Sequence, residues 1–175
     1  FMALICNPES ELTAMGGHAR IVNPAYAARE ELNPPDAALP GVEALAARVR
    51  AMPGVRAAEP RIMTGVTVTA GREIGDVFAP VVGSTEAYFR DRLRAPERVV
   101  AGRWFSGAPG ELVLGARVAR EARAAVGAEV ILLGLTQDGA LSPVKGRLVG
   151  IVHGGMLDRQ ILAPLAQIQW LADLD

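Results

Sequence analysis

Two histidines, one cysteine and a short acidic stretch are the residues whose types could do chemistry in this 175-residue chain. His18 and His153 stand far apart, and neither has a second His, Cys or carboxylate at the spacing a tetrahedral metal site uses. Cys6 could serve as a nucleophile only beside a positioned base, and it sits in an N-terminal stretch with no sustained period. As the only cysteine, it excludes an intramolecular disulfide. Glu30, Glu31 and Asp36 could pair as acid and base, but such a pair needs burial or a close partner to separate its pKa values, and prolines flank this one. Trp104 and Trp170 could form a ligand platform. Each stands beside apolar neighbours, where tryptophan is more often a core or subdomain-contact residue.

Phosphate chemistry has still less to work with. A nucleotide-hydrolysing loop needs glycines followed by Lys and Ser or Thr, whereas the one lysine, Lys145, lies in SPVKGR. No GxGxxG run is present either. Arg117, Arg120 and Arg123 recur at helical spacing, which reads as a solvated helix face. The sequence therefore assigns no catalytic, cofactor-binding or metal-ligating residue, and the chain is expected not to be an enzyme.

The elements around these residues can be read from periodicity and punctuation. GGHARIVNP suggests a short strand ending at Pro24, and the Pro-rich run up to Gly41 reads as a loop with at most one helical turn. Val42, Leu45, Ala46, Val49 and Met52 line one face of a helix that Pro53-Gly54 stops. A strand is expected from Val55 to about Ile62, followed by a half-buried strand in which Val66, Val68 and Ala70 alternate with Thr67 and Thr69. VFAPVVG is an apolar strand at the sheet interior or, because of Pro80, its edge. Ser84 is the expected N-cap of a helix over Ala87 to Leu93. Leu112 to Leu114 reads as a strand, Ala116 to Ala125 as a helix, and Val130 to Leu148 as a hairpin turning at Asp138-Gly139. Gln160 to Pro164 and Leu165 to Leu174 close the chain as strand and helix. The predicted class is α+β.

Composition is that of a folded domain: half the residues are hydrophobic and 21% charged. A net charge of -1, with basic residues spread along the chain, gives no stripe for nucleic acid. No stretch approaches the roughly 20 apolar residues that cross a bilayer.

Several blocks taken in order resemble a known family: GGHARIVNPAYAARE, VEALAARVRAMPGVRAAEPRI, VVAGRWFSGAPGELVLGARVARE, AVGAEVILLG, GRLVGIV and LDRQILAPLAQIQWLADL. From about Gly16 to Leu174 the chain resembles the MacB-like periplasmic core domain of ABC-transporter permeases of the MacB, FtsX, LolC and LolE type. The resemblance implies a porter-like α/β subdomain over residues 16–110 and 153–175, formed from both chain ends, with a small β-rich subdomain inserted over 111–152. Residues 1–15 are left as a tag or membrane-proximal remnant. It further implies a domain on the periplasmic face of the inner membrane, a second permease subunit, a separate cytoplasmic ABC ATPase, a periplasmic chaperone or adaptor, and a lipoprotein, lipid or peptide cargo. The isolated domain is expected to be a monomer. Gly127-Ala128-Glu129 replaces the family's usual Gly-Asp, and the Asp138-Gly139 hairpin is too short for the long arm that lipoprotein-releasing permeases use. Two other readings stay open: a periplasmic scaffold regulating a cell-wall hydrolase, and a small enzyme with a cleft near His153.

Overall fold

A computed structural model describes residues 3–6, 17–71 and 77–174. Two antiparallel strands, β1 (Ala3–Cys6) and β2 (Ala19–Val22), pair with Cys6 opposite Ala19. Residues 3–6, within the stretch left as a remnant, thus form a strand. Asn23 then accepts from Ala25 N–H and caps a single helical turn, α1 (Pro24–Ala27), whose first position suits proline because no intrahelical donor is needed there. Two 3₁₀ turns, Glu30–Leu32 and Pro35–Ala37, lead to α2 (Val42–Arg50). Glu43 in its first turn and Arg48 and Arg50 in its last complement the helix dipole.

The strand expected over Val55 to Ile62 begins only at Arg61. Residues 55–60 join no ladder, and Pro60 could donate nothing to one. Side chains hold this segment instead: Arg50 donates to Ala58 O (2.8 Å), Ser84 Oγ to Pro60 O (2.7 Å) and Thr85 Oγ1 to Glu59 (2.6 Å). Ser84 is therefore not the N-cap of the next turn. Thr85 takes that place, accepting from Tyr88 N–H at 3.1 Å ahead of a π-helical turn over Tyr88–Arg92.

Strands β3 (Arg61–Ala70), β4 (Val77–Ser84), β5 (Val99–Gly102), β6 (Glu111–Gly115), β7 (Glu129–Leu135), β8 (Leu141–Val152) and β9 (Ile161–Pro164) form one sheet in the order β5-β8-β6-β9-β4-β3-β7. An additional β7–β8 ladder closes it, so six strands make a barrel and β5 lies alongside β8. Closure is possible because β8 changes partners along its length. Residues up to Arg147 pair with β7, and those from Arg147 onward with β6. Pro80 stands where β4 has only β3 beside it, since pairing with β9 begins at Val81. Strands β7, β8 and β6, from the expected 111–152 insert, lie side by side and make one half of the ring, and β9, β4 and β3 make the other.

Alternating residues divide the sheet between two cores. Val66, Val68, Val81, Leu114, Leu132 and Leu148 fill the barrel with others of their faces. Its mouth is plugged by α4 (Leu165–Ala172), and α3 (Ala116–Glu121) covers further interior surface. Gly83 and Gly134 admit the plug, since a Cβ on either would stand 2.7 Å from Ile168 or 2.5 Å from Leu171. On the outer side, Tyr88, Phe89, Leu93 and Leu157 pack over Val82, Val113, Val149 and Leu162.

The β7–β8 turn clips the far end of α4. Gln137 N–H donates to Ala172 O at 2.8 Å, and its side-chain amide donates to Asp173 O. Gln137→Ala is expected to cost only about 1 kcal/mol of global stability. Hydrogen exchange at Asp173 and Leu174 should nonetheless quicken, because that side chain fastens the Asp173 carbonyl just past the helix end.

Candidate functional site

The residues that could carry chemistry are dispersed by the fold. Glu30 is bound by Arg20 through both carboxylate oxygens, and Asp36 by Arg29 at 2.7 Å, while Glu31 faces solvent. The acidic stretch is thus shared between two separate arginines. Cys6 lies in β1, with its side chain outside the described residues. His18 is exposed. Among the described residues no group of three His, Cys, Asp or Glu could hold a metal ion, and no helix is long and apolar enough to cross a membrane. Arg117 pairs with Glu121 at 2.7 Å on the exposed side of α3.

His153 has a carboxylate partner that sequence spacing did not suggest. Its Nδ1 lies 3.0 Å from Asp158 Oδ1, which also accepts from Gly154 N–H at 2.8 Å. That backbone hydrogen bond holds the Asp158 carboxyl below its ordinary range against the opposing effect of burial, with His153 and Arg120 assisting. The pair closes the turn between β8 and a 3₁₀ segment, Gly155–Arg159. No nucleophile stands beside it among the contacts described.

Among the described residues the most buried carboxylate is Glu111, only 4% exposed, at the start of β6. It accepts from Arg103, from Ser106 N–H at 2.6 Å and from Ser106 Oγ at 2.8 Å. Burial pushes its carboxyl up, and these hydrogen bonds outweigh burial, so the group is held below the usual glutamate range. It ties down the loop that carries Trp104 and Phe105 against Phe89, with ring centroids 5.8 and 5.9 Å away. Trp104 is thus half-buried in an aromatic cluster, its indole N–H donating to Glu86 at 3.0 Å. Glu111 organises structure and faces no cleft. A lone carboxylate directly before the apolar run LVLG was the available sequence signal.

Trp170 departs from the core or contact role expected of it, being 67% exposed. Helix rotation of about 100° per residue sets it about 200° round from Ile168, which points into the barrel mouth.

A larger feature emerges from strand register. Residues directly opposite in neighbouring strands share a face, and Phe78 in β4, Thr67 in β3, Leu133 in β7 and Pro143 in β8 are opposite one another in turn. They form a row across the outside of the barrel. The paired Leu135 and Leu141 extend it toward the β7–β8 turn, and Ile131 adjoins it. Phe78 is 76% exposed and Leu141 68%. The Phe78 ring lies over Gly65, where an added Cβ would approach it to 2.4 Å, so the absent side chain gives the ring its seat. An exposed apolar surface of this extent marks an interaction site more often than chance. The apolar run VFAPVVG is legible in the sequence, but only register shows that Phe78 joins three other strands.

The sequence matches the family described as MacB-like periplasmic core domain over residues 9–174. No functionally curated protein matches it. In fold the chain is similar to the extracellular domain of the noncanonical ABC-type transporter YknZ from Gram-positive bacteria, with a TM-score of 0.56 and 15% identity. That alignment covers 97% of this chain and 75% of the other.

Proposed function

The chain belongs to the family of MacB-like periplasmic core domains, and from that premise we propose that it is the periplasmic part of an ABC-transporter permease, docking partners and passing on ATP-driven motion. The family match over residues 9–174 carries this reading. The architecture supports it: a closed barrel, filled by one continuous core and plugged by α4, resists shear and can move as a body. The outer apolar row offers a docking surface. The dispersed acids and histidines offer no assembled catalytic group.

On this reading the domain faces the periplasm, and a cytoplasmic ATPase supplies the energy. Export in general fits the domain better than lipoprotein release by a long arm, since the β7–β8 connection turns between Thr136 and Ala140 with backbone hydrogen bonds of 2.9 and 3.0 Å. The full-length protein bearing this domain, expressed with the ATPase encoded beside it, is expected to copurify with that ATPase in detergent. A free-standing reading frame with no membrane segment would sink the proposal. The enzyme reading rests on His153, so hydrolytic activity of the purified domain that disappears in His153→Ala would displace the transport reading.

A further inference from the structure

We propose that the hollow between α2 and residues 39–41 is a binding site for a small organic acid, an apolar body with a single carboxylate at one end. The inference goes beyond the permease reading and does not depend on it.

Shape comes first. The hollow encloses about 490 Å³, within the range of small-molecule sites, and it stays open to solvent because Pro40 and Ala44 on its rim are exposed. On α2, positions 44, 45 and 48 recur at helical spacing and so fall on one face. Leu39 and Pro40 supply the other wall. Gly41 leaves space between them, since a Cβ added there would meet nothing within 4 Å.

Charge selects the head of the ligand. Arg48 is the one charged residue of the lining, and among the described residues it makes no ion pair or hydrogen bond. Arg20, Arg29, Arg90 and Arg94, by contrast, each face a carboxylate. Long side chains on a helix lean toward its N-terminus, so Arg48 lies along the turn that carries Ala44 and Leu45. The acid nearest in this helix, Glu43, is already engaged by Gln169 at 2.7 Å. A free guanidinium beside apolar walls matches a carboxylate, which it can bind through two parallel hydrogen bonds.

Polar satisfaction limits the rest of the ligand. Asn23 is the other lining side chain with hydrogen-bonding groups, and its Oδ1 accepts from Ala25 N–H at 3.0 Å. What it has left to offer is its amide N–H groups, again donors. A peptide laid in the hollow would find few partners for its own main-chain N–H groups, and each one buried without a partner is costly. The body that fits is therefore apolar, with its polar atoms gathered at one end.

The test is titration of the chain with phenylbutyrate, followed in ¹H–¹⁵N spectra, beside its neutral isostere phenylbutanamide. Saturable shifts are expected at residue 23 and over 39–48, with a Kd on the order of 1 mM for the acid and at least about fivefold weaker for the amide. Arg48→Gln should bring the acid down to the level of the amide without changing the amide. Ala44→Phe, made at an exposed helix position, should fill the hollow and block both. Arg56→Gln, which removes another exposed arginine outside the lining, should change neither. The spectra report whether each variant is folded. Equal affinity of acid and amide for the wild type, shifts spread over other arginines, or binding that survives Ala44→Phe would overturn the proposal. So would tighter binding of an apolar tripeptide with a free C-terminus, the mark of a site for chain ends. None of these outcomes touches copurification with the ATPase, so the two readings fail separately.

Discussion

Gly115→Ala is expected to lower stability by about 3 kcal/mol, read as a shift in the urea midpoint at unchanged slope. Gly115 ends β6 with φ of -65° and ψ of 146°, a conformation alanine adopts freely, so the backbone itself raises no objection. The cost comes from contact. A Cβ there would stand 2.1 Å from Leu157 O and 2.4 Å from both C and O of Asp158, all main-chain atoms that no rotamer change can move aside. The segment 155–159 would have to retreat, straining the 2.8 Å hydrogen bond from Gly115 N–H to Gln160 O and the turn that Asp158 fastens to His153 and Gly154. The contrast is Gly139, which has φ of 83° and nothing within 4 Å of its Cβ position. Alanine there should cost about 1 kcal/mol for conformation alone. Equal losses at the two positions would mean that β6 and the 155–159 turn do not approach so closely.

Glu111→Ala should cost a similar amount, about 3 kcal/mol, because it leaves Ser106 N–H and the Arg103 guanidinium without their acceptor and frees the loop that seats Trp104 and Phe105. Glu111→Gln separates charge from shape. The folded-state pKa of Glu111 lies below its unfolded value, so its contribution is present above the ordinary glutamate range and is lost as pH falls through the folded value. Wild type should therefore lose stability more steeply than Glu111→Gln on acidification from about pH 5 to about pH 3. Asp158 and Asp36 are also lowered and add to the acid slope of both proteins, leaving the difference between the two curves to report Glu111. Parallel curves would show that the carboxylate gains nothing from being charged in the fold.

Local signals served the sequence reading where local physics decides the outcome. The period of Val42, Leu45, Ala46 and Val49 reports a helix, and Asp138-Gly139 reports a hairpin, because each depends on neighbours in the chain. Val55 to Pro60 has strand-like composition but no partner, and a strand requires one. The same limit hid the outer row. Phe78, Thr67, Leu133 and Pro143 are spread between positions 67 and 143 of the sequence and meet only through the register of four strands. Ser84 against Thr85 was a choice between adjacent hydroxyls, settled by Pro60 O lying within reach of the first. Nor could spacing show the junction between β6 and β9, where Val113 and Leu114 meet Leu162 and Ile161 to complete the ring.

That junction bears on how the molecule comes into being. The last strand, β9, sits between β4 and β6, parallel to one and antiparallel to the other, and it joins segments about 80 and about 50 residues earlier in the chain. Until residue 164 is made, the ring is open along the inner edges of β4 and β6, and α4 has no mouth to plug. Such a high contact order places folding among the slow, millisecond-to-second cases. Until β9 arrives, the chain must keep two apolar strand edges from wrong partners. Refolding of the barrel is therefore expected to end, not begin, with insertion of β9 between β4 and β6.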